Sequence, residues 1–460
     1  IDIDGNTRPG VKDFGTLDWD IGADEYSSPI SIYRSVGPSN TSTLATDSSH
    51  ANTVAVSSGT ATFSAELADN IGVGDVVIID TAGTDQTIDS ADTLLFISSR
   101  TSSTVYTFQT ESGAVPSDIA VNDTYSIYRA YTSLSNAEAG TENTTITGLG
   151  FSFTGGNRDL VTNNEQWNLT CYGDAVDITS VDIDGWTTGV NNYIKVYTPV
   201  SSDEVGTSQR HNGVWDDGKY RREIAASGYT YALRISDPYI RIVGLQTLTT
   251  GITAYDLFGI YNDSGENSEV IISDNIIKST GTGRVEGIRS HYSAYIFNNI
   301  IYDQKDVGIN ISSYKAGTIY AYNNTVYNSA EGINRGSTDN ILVAKNNVVQ
   351  NCADGYFGTF DSSSDFNISD VIGDTTGLSD SYRSGLATEV SFIDEAGDDF
   401  HLLATDTLAK DQGTDLSVIF TDDIDGQGRM GTWDIGADET SNSKKQLRGN
   451  IELRGTVKFR

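Results

Sequence analysis

A chain of 460 residues with 29 Lys and Arg against 63 Asp and Glu carries a formal charge of −34, which repels a phosphate backbone and an anionic membrane surface alike. Its 46 Gly, 24 Tyr and 37% hydrophobic residues suit a folded β protein rich in turns, and 20% charged residues is too few for long solvated helices. At this length the apolar surface is buried either in several domains or in one elongated solenoid, and no run of 18 apolar residues exists to span a bilayer.

Residues 1–27 hold two short motifs, Asp2-Ile3-Asp4-Gly5 and Trp19-Asp20-Ile21-Gly22-Ala23-Asp24-Glu25, which return near the other end of the chain. A start at Ile1 without Met reads as a processed chain or as a segment of a longer precursor. Residues 28–130 alternate in short strands such as 70–79 and 104–108 without a coil register, so a small separate β domain, barrel or sandwich, is expected there.

Residues 131–375 carry a repeat. Asn275, Asn299, Asn324 and Asn347, each followed by two β-branched residues, fall 24, 25 and 23 positions apart, and Asp370-Val371-Ile372 continues the series. A second landmark keeps step: Gly287-Ile288, Gly308-Ile309, Gly332-Ile333 and Gly355-Tyr356. Two elements at one period define a coil, and three short strands per 23 to 25 residues predict an all-β, right-handed parallel β-helix. Asn at equivalent turns is expected to stack in a ladder, because it tolerates the left-handed region and buried amides must be paired. Residues 146–149, 176–178, 193–197 and 240–245 extend the coils upstream in poorer register, with a long insertion over 200–230. Cys171 and Cys352, 181 positions apart, read as two buried small residues; a disulfide is the alternative.

Residues 376–440 close the solenoid. Asp423-Ile424-Asp425-Gly426 and Trp433-Asp434-Ile435-Gly436-Ala437-Asp438-Glu439 repeat the motifs of the first 27 residues. Residues 441–460 form a basic tail in which apolar or Gly positions alternate with polar ones, the period of a half-buried strand. A lone strand needs a partner. Leu447, Arg448, Ile451, Leu453, Arg454, Val457, Lys458, Phe459 and Arg460 are the residues expected to dock it, in cis on the same body or in trans on a neighbour.

The closing segment, Asp399-Phe400-His401-Leu402-Leu403 followed by Asp-Ile-Asp-Gly and Asp-Ile-Gly-Ala-Asp-Glu, resembles the C-terminal part of secreted right-handed β-helix proteins of the choice-of-anchor Q type. That resemblance implies a β-helix fold and extracellular or cell-surface residence, and implies no activity.

Parallel β-helices often carry polysaccharide lyases and hydrolases, yet no nucleophile–base pair is readable. The polygalacturonase set of Asn-Thr-Asp, Asp-Asp, Gly-His-Gly and Arg-Ile-Lys is absent as a set. The densest polar and aromatic cluster, with Arg210, His211, Trp215 and Tyr220 in the inserted loop, is either a glycan contact or ordinary loop packing. Asp2, Asp4, Asp182, Asp184, Asp423 and Asp425, in three Asp-x-Asp-Gly turns, offer oxygens to Ca²⁺, the one cofactor the sequence allows; turn formation explains them equally. The expected function is an extracellular structural or adhesive protein, a homopolymer joined head to tail by strand addition. The alternative is a polysaccharide-degrading enzyme or a glycan-binding module.

Overall fold

The computed structural model describes residues 28–47, 51–82, 87–122, 124–153, 158–226, 228–251, 256–266, 268–312, 317–336, 339–372, 374 and 389–440. The first 27 residues and the tail from 441 onwards, with Asp2, Asp4 and every proposed docking residue from Leu447 to Arg460, lie outside them.

Three parallel sheets, of eight, eight and seven strands, advance by one strand per coil and form a parallel β-helix. The first sheet begins with Ile30–Val36, which pairs in parallel with Glu165–Cys171. The solenoid therefore starts before residue 131. The antiparallel sheet between Ala45–Thr46 and Tyr125–Tyr128 is an insertion after that first strand, and the expected boundary at 130 is corrected accordingly.

Period-two alternation ties the insertion to the solenoid. On strand Val76–Ile79, Val77 and Ile79 face the insertion's own core, whereas Val76 and Ile78 join Val36, Leu169 and Cys171 in the solenoid core. The run is apolar on both faces because it serves two cores. Residues 146–149, expected as strand, are largely helical: helix Thr144–Gly148 is capped by Asn143, whose side chain accepts from Thr145 N. With helices Leu134–Ala139 and Leu160–Asn163 it packs Ile146, Leu134 and Leu160 onto the core of the first coils.

Both landmarks have structural causes. The ladder runs Asn275–Asn299–Asn324–Asn347, each amide donating to the next carbonyl oxygen at 2.9 to 3.0 Å. It ends on Asn367, to which Asn347 donates at 2.8 Å. The last coil is shorter than its predecessors, so the series continues at Asn367 rather than at Asp370. The left-handed conformation belongs to the preceding residues, Asp274, Asn298, Asn323 and Asn346, with φ between 49° and 58°. Each doublet thus divides the work: the first residue makes the corner and points outward, and the second satisfies the buried backbone.

The Gly-Ile pairs mark where the third sheet meets the second most closely. A Cβ on Gly332 would lie 2.2 Å from Val349 Cγ1, and one on Gly308 would lie 2.4 Å from Val326 Cγ1. The following Ile288, Ile309 and Ile333 fill the core. Cys171 and Cys352 are buried and unbridged.

Both residues after each ladder Asn from Asn275 to Asn347 are covered, and all are apolar except Thr325, whose Oγ1 accepts from Ala437 N. Ile277, Ile301, Val326 and Val349 face the core, while Ile276, Ile300 and Val348 face outward under Phe392, Phe400, Ile424, Ile435 and Ala437. The segment 389–440 is thus a lid along the second sheet, opened by the hairpin of Phe392–Asp394 and Asp399–Leu402. It docks on the outward Asn column. Asn323 Nδ2 donates to Asp434 O and Gly436 O, and Asn298 Nδ2 donates to Asp422 O. Gly436 takes φ 106°, with its Cα face against Thr325 and Val348.

Candidate ligand-binding face

The third sheet stacks Val181–Ile183, Thr230–Ile235, Asp256–Asn262, Arg284–Ser290, Val307–Ile311, Glu331–Arg335 and Asp354–Phe357. Its register aligns one outward column as Asp182, Arg234, Tyr261, Arg289, Asn310, Asn334 and Phe357. A second column aligns Tyr231, Phe258, Glu286, Val307, Glu331 and Asp354. Neither column is under the lid described above.

Charges and rings interlock along this face. Arg234 pairs with Asp182 at 3.3 Å and with Asp263 at 2.6 Å, and Asp263 contacts His291 Nδ1 at 3.3 Å. Arg289 pairs with Glu286 at 2.7 Å and lies over the Phe258 ring, its Cζ 4.7 Å from the centroid. Phe258 and Tyr261 stack at 5.1 Å, and Tyr261 meets His291 edge to face. Burial pushes the Glu286 carboxyl up to about 7 against the opposing charge of Arg289. Burial likewise lowers His291, outweighing Asp263.

Five buried polar atoms here have no hydrogen-bond partner: Arg234 Nε, Glu286 Oε2, Arg289 Nε, Asn310 Oδ1 and Asn334 Oδ1. They lie on four of the seven strands, three of them adjacent. Leaving such groups unmet is costly unless an ordered water meets them, so the inner edge of this face is polar and incompletely paired by the protein itself.

The sequence-expected sites lie elsewhere. Tyr220 is in the solenoid core, its hydroxyl 3.1 Å from Asp177. Arg210 is buried with Nε donating to Thr198 Oγ1, and His211 is buried with Nδ1 accepting from Gly213 N. Three of the four expected glycan contacts, Arg210, His211 and Tyr220, are therefore interior groups. Trp215 is half-buried beside the lid with Lys278 Nζ 4.2 Å above its ring.

The two Asp-x-Asp-Gly turns among the described residues do not come together either. Asp182 is held by Arg234 and Ser236, and Asp184 offers its backbone oxygen to Arg158. Asp423 accepts from the backbone of Asp425, Gln427 and Glu439, which is a turn-forming role. Asp425 belongs to a different cluster: His401 spans Asp399 at 2.6 Å and Asp425 at 3.1 Å, and ligand atoms of His401, Asp425 and Asp438 lie within 4.8 Å of one another. Both imidazole nitrogens face carboxylates, so the imidazolium is itself the cation of this cluster.

Burial would lower His401, but the hydrogen bond and charge of Asp425, with Asp438 and Asp399, raise it to about 10. A folded-state value above the ordinary 6.5 gives a contribution complete below about pH 6.5 and lost as pH rises through about 10. The stability of wild type relative to His401→Asn is expected to fall by about 2–3 kcal/mol across that window, after allowance for solvent screening. Urea midpoints of both proteins at pH 6 and pH 10 measure it; parallel curves would refute the clasp.

The residues the sequence reading missed carry a signal. Tyr261, Arg289, Asn310, Asn334 and Phe357 each follow a Gly-Ile or Gly-Tyr pair, the second landmark itself. No family model and no curated protein matches the chain. Among solved structures it is similar to the crystal structure of pectate lyase Pel9A, with 12% identity and a TM-score of 0.26 over 59% of this chain and 87% of that one. That likeness transfers no activity; the strand pairing of the chain itself makes it a parallel β-helix protein.

Proposed function

We propose that the chain is an extracellular β-helix protein that binds a polysaccharide along the outer face of its third sheet. The observation that carries this reading is the outward face itself, where the exposed rings of Tyr229 and Phe357 and the half-buried Tyr231 stand among the half-buried Arg234, Arg289 and Asn334. Aromatic faces with interspersed, oriented polar groups suit sugar rings and hydroxyls. A charge of −34 and the closing motif that resembles secreted proteins of the choice-of-anchor Q type support residence outside the cell.

A second reading, a subunit joined head to tail through residues 447–460, is favoured by the duplicated closing motif. The copy at 423–439 docks on the outward Asn column, so the copy at 2–25 carries the residues to dock on another such column. One set of samples tests both. Affinity electrophoresis through neutral and acidic polysaccharides should retard the wild type, and Asn334→Ala and Arg289→Ala should weaken the retardation about tenfold. Sedimentation of the full chain and of one ending at Thr440 reports assembly. Mobility unchanged by every polysaccharide, or by both substitutions, would sink the glycan reading; identical sedimentation of the two chains would sink the polymer.

A further inference from the structure

A second, separate feature lies where the first coil meets the insertion. A cavity of about 290 Å³ is lined there by Ile32, Arg34, Glu111, Phe153, Glu165 and Trp167, among others. Arg34 is 1% exposed, and among the described residues no carboxylate lies within ion-pair distance of it. Its Nη1 and Nη2 donate to the backbone oxygens of Tyr33 and Glu111 at 2.8 Å, and its Nε has no partner. The guanidinium lies 3.5 Å from the Phe96 ring centroid and 5.6 Å from those of Phe153 and Trp167. The Trp167 Nε1–H is also buried and unpaired.

Of the other wholly buried guanidinium groups, Arg129 is held by Asp75 and Asp174 at 2.8 Å each, whereas Arg222 donates to Thr179 O and leaves Nε and Nη1 unmet. Arg34 has aromatic rings and two backbone oxygens instead. A buried cation without a counter-ion is costly, and burial draws Arg34 down to about 10. The chemistry of the cavity is polarised. Two unused donors, one of them cationic, lie in its depth between aromatic walls, while exposed Glu111 and half-buried Glu165 supply acceptors.

We propose that this cavity binds a small organic carboxylate that carries hydroxyl or ammonium donors at its other end, the carboxylate meeting Arg34 Nε and Trp167 Nε1 and the donors meeting Glu165 and Glu111. Sugar acids and amino acids share that chemistry. The site is distinct from the third-sheet face, and its occupancy is independent of polysaccharide binding there.

The full chain is titrated with D-glucuronate, L-serine and D-glucose, with binding followed by calorimetry and by tryptophan fluorescence. At least one of the two carboxylates is expected to saturate the protein and to bind about tenfold or more tightly than glucose, as a charge-assisted contact requires. Arg34→Met should abolish that preference with the far-UV spectrum unchanged. If Arg34→Met does not fold, Trp167→Phe keeps the aromatic wall, removes the donor and should weaken the carboxylate several-fold without affecting glucose. Equal affinity for glucose and both carboxylates, no saturation by either carboxylate, or binding indifferent to these substitutions would overturn the assignment.

Discussion

Arg129→Met is expected to destabilise the protein by about 3–5 kcal/mol, the cost of stranding buried carboxylates. Arg129 follows strand Tyr125–Tyr128 of the inserted sheet and donates to Asp75 from Nη1 at 2.8 and 2.9 Å. It also reaches into the first coil, donating from Nε and Nη2 to Asp174 at 2.8 and 3.0 Å, and its Cζ lies 3.6 Å above the Tyr172 ring. Burial alone would lower its affinity for a proton, but Asp75 and Asp174 outweigh burial and hold it well above the ordinary arginine value. The side chains of Arg129 and Asp75 are wholly buried, and that of Asp174 is 9% exposed.

Methionine fills most of the volume and leaves Asp75 and Asp174 as unpaired charges in a dry junction. Adding Asp75→Asn and Asp174→Asn to Arg129→Met should recover part of the loss, because the penalty belongs to the uncompensated carboxylates. Urea unfolding followed by far-UV circular dichroism measures both steps. A loss below about 1 kcal/mol for the single substitution would show that the junction is wet and the clamp unimportant.

That junction was not legible in the sequence, for a physical reason. Ile30–Val36 pairs with Glu165–Cys171 across an insertion, and no local pattern reports a pairing over such a distance. What was legible is what the coil repeats. The Asn doublets recur because each coil needs one corner and one satisfied ladder rung, and the Gly-Ile pairs recur because a Cβ does not fit between the second and third sheets. Even there the sequence merged two roles, since the left-handed corner and the ladder amide belong to adjacent residues.

The candidate site was misplaced for a related reason. Arg210, His211 and Tyr220 are dense in polar and aromatic groups, but density does not tell which side of a loop faces water, and these side chains turn inward. The third-sheet residues looked like filler after each Gly-Ile pair. Register turned them into a column.

Asn324→Ala is expected to cost about 3–5 kcal/mol, more than most single surface changes by an order of magnitude. Asn324 Nδ2 donates to Ile296 O at 2.8 Å and to Asn347 Oδ1 at 3.0 Å, while its Oδ1 accepts from Asn299 N and Nδ2. Alanine leaves those groups facing one another across a gap too closed for free solvent, and interior groups so stranded lose their full solvation. Asn324→Asp keeps the shape but aims an oxygen at Ile296 O and Asn347 Oδ1, so it should be at least as damaging at neutral pH. Asn323→Ala, one residue away, removes instead the donor to Asp434 O and Gly436 O and should loosen the lid with the coils intact. Amide exchange separates the outcomes: Asn324→Ala should lower protection across coils 270–350, and Asn323→Ala only over 420–440. Because a solenoid's stability is a sum over neighbouring coils, a local effect at Asn324 that spared both adjacent rungs would mean the ladder is decoration on a stack held by Ile and Val alone.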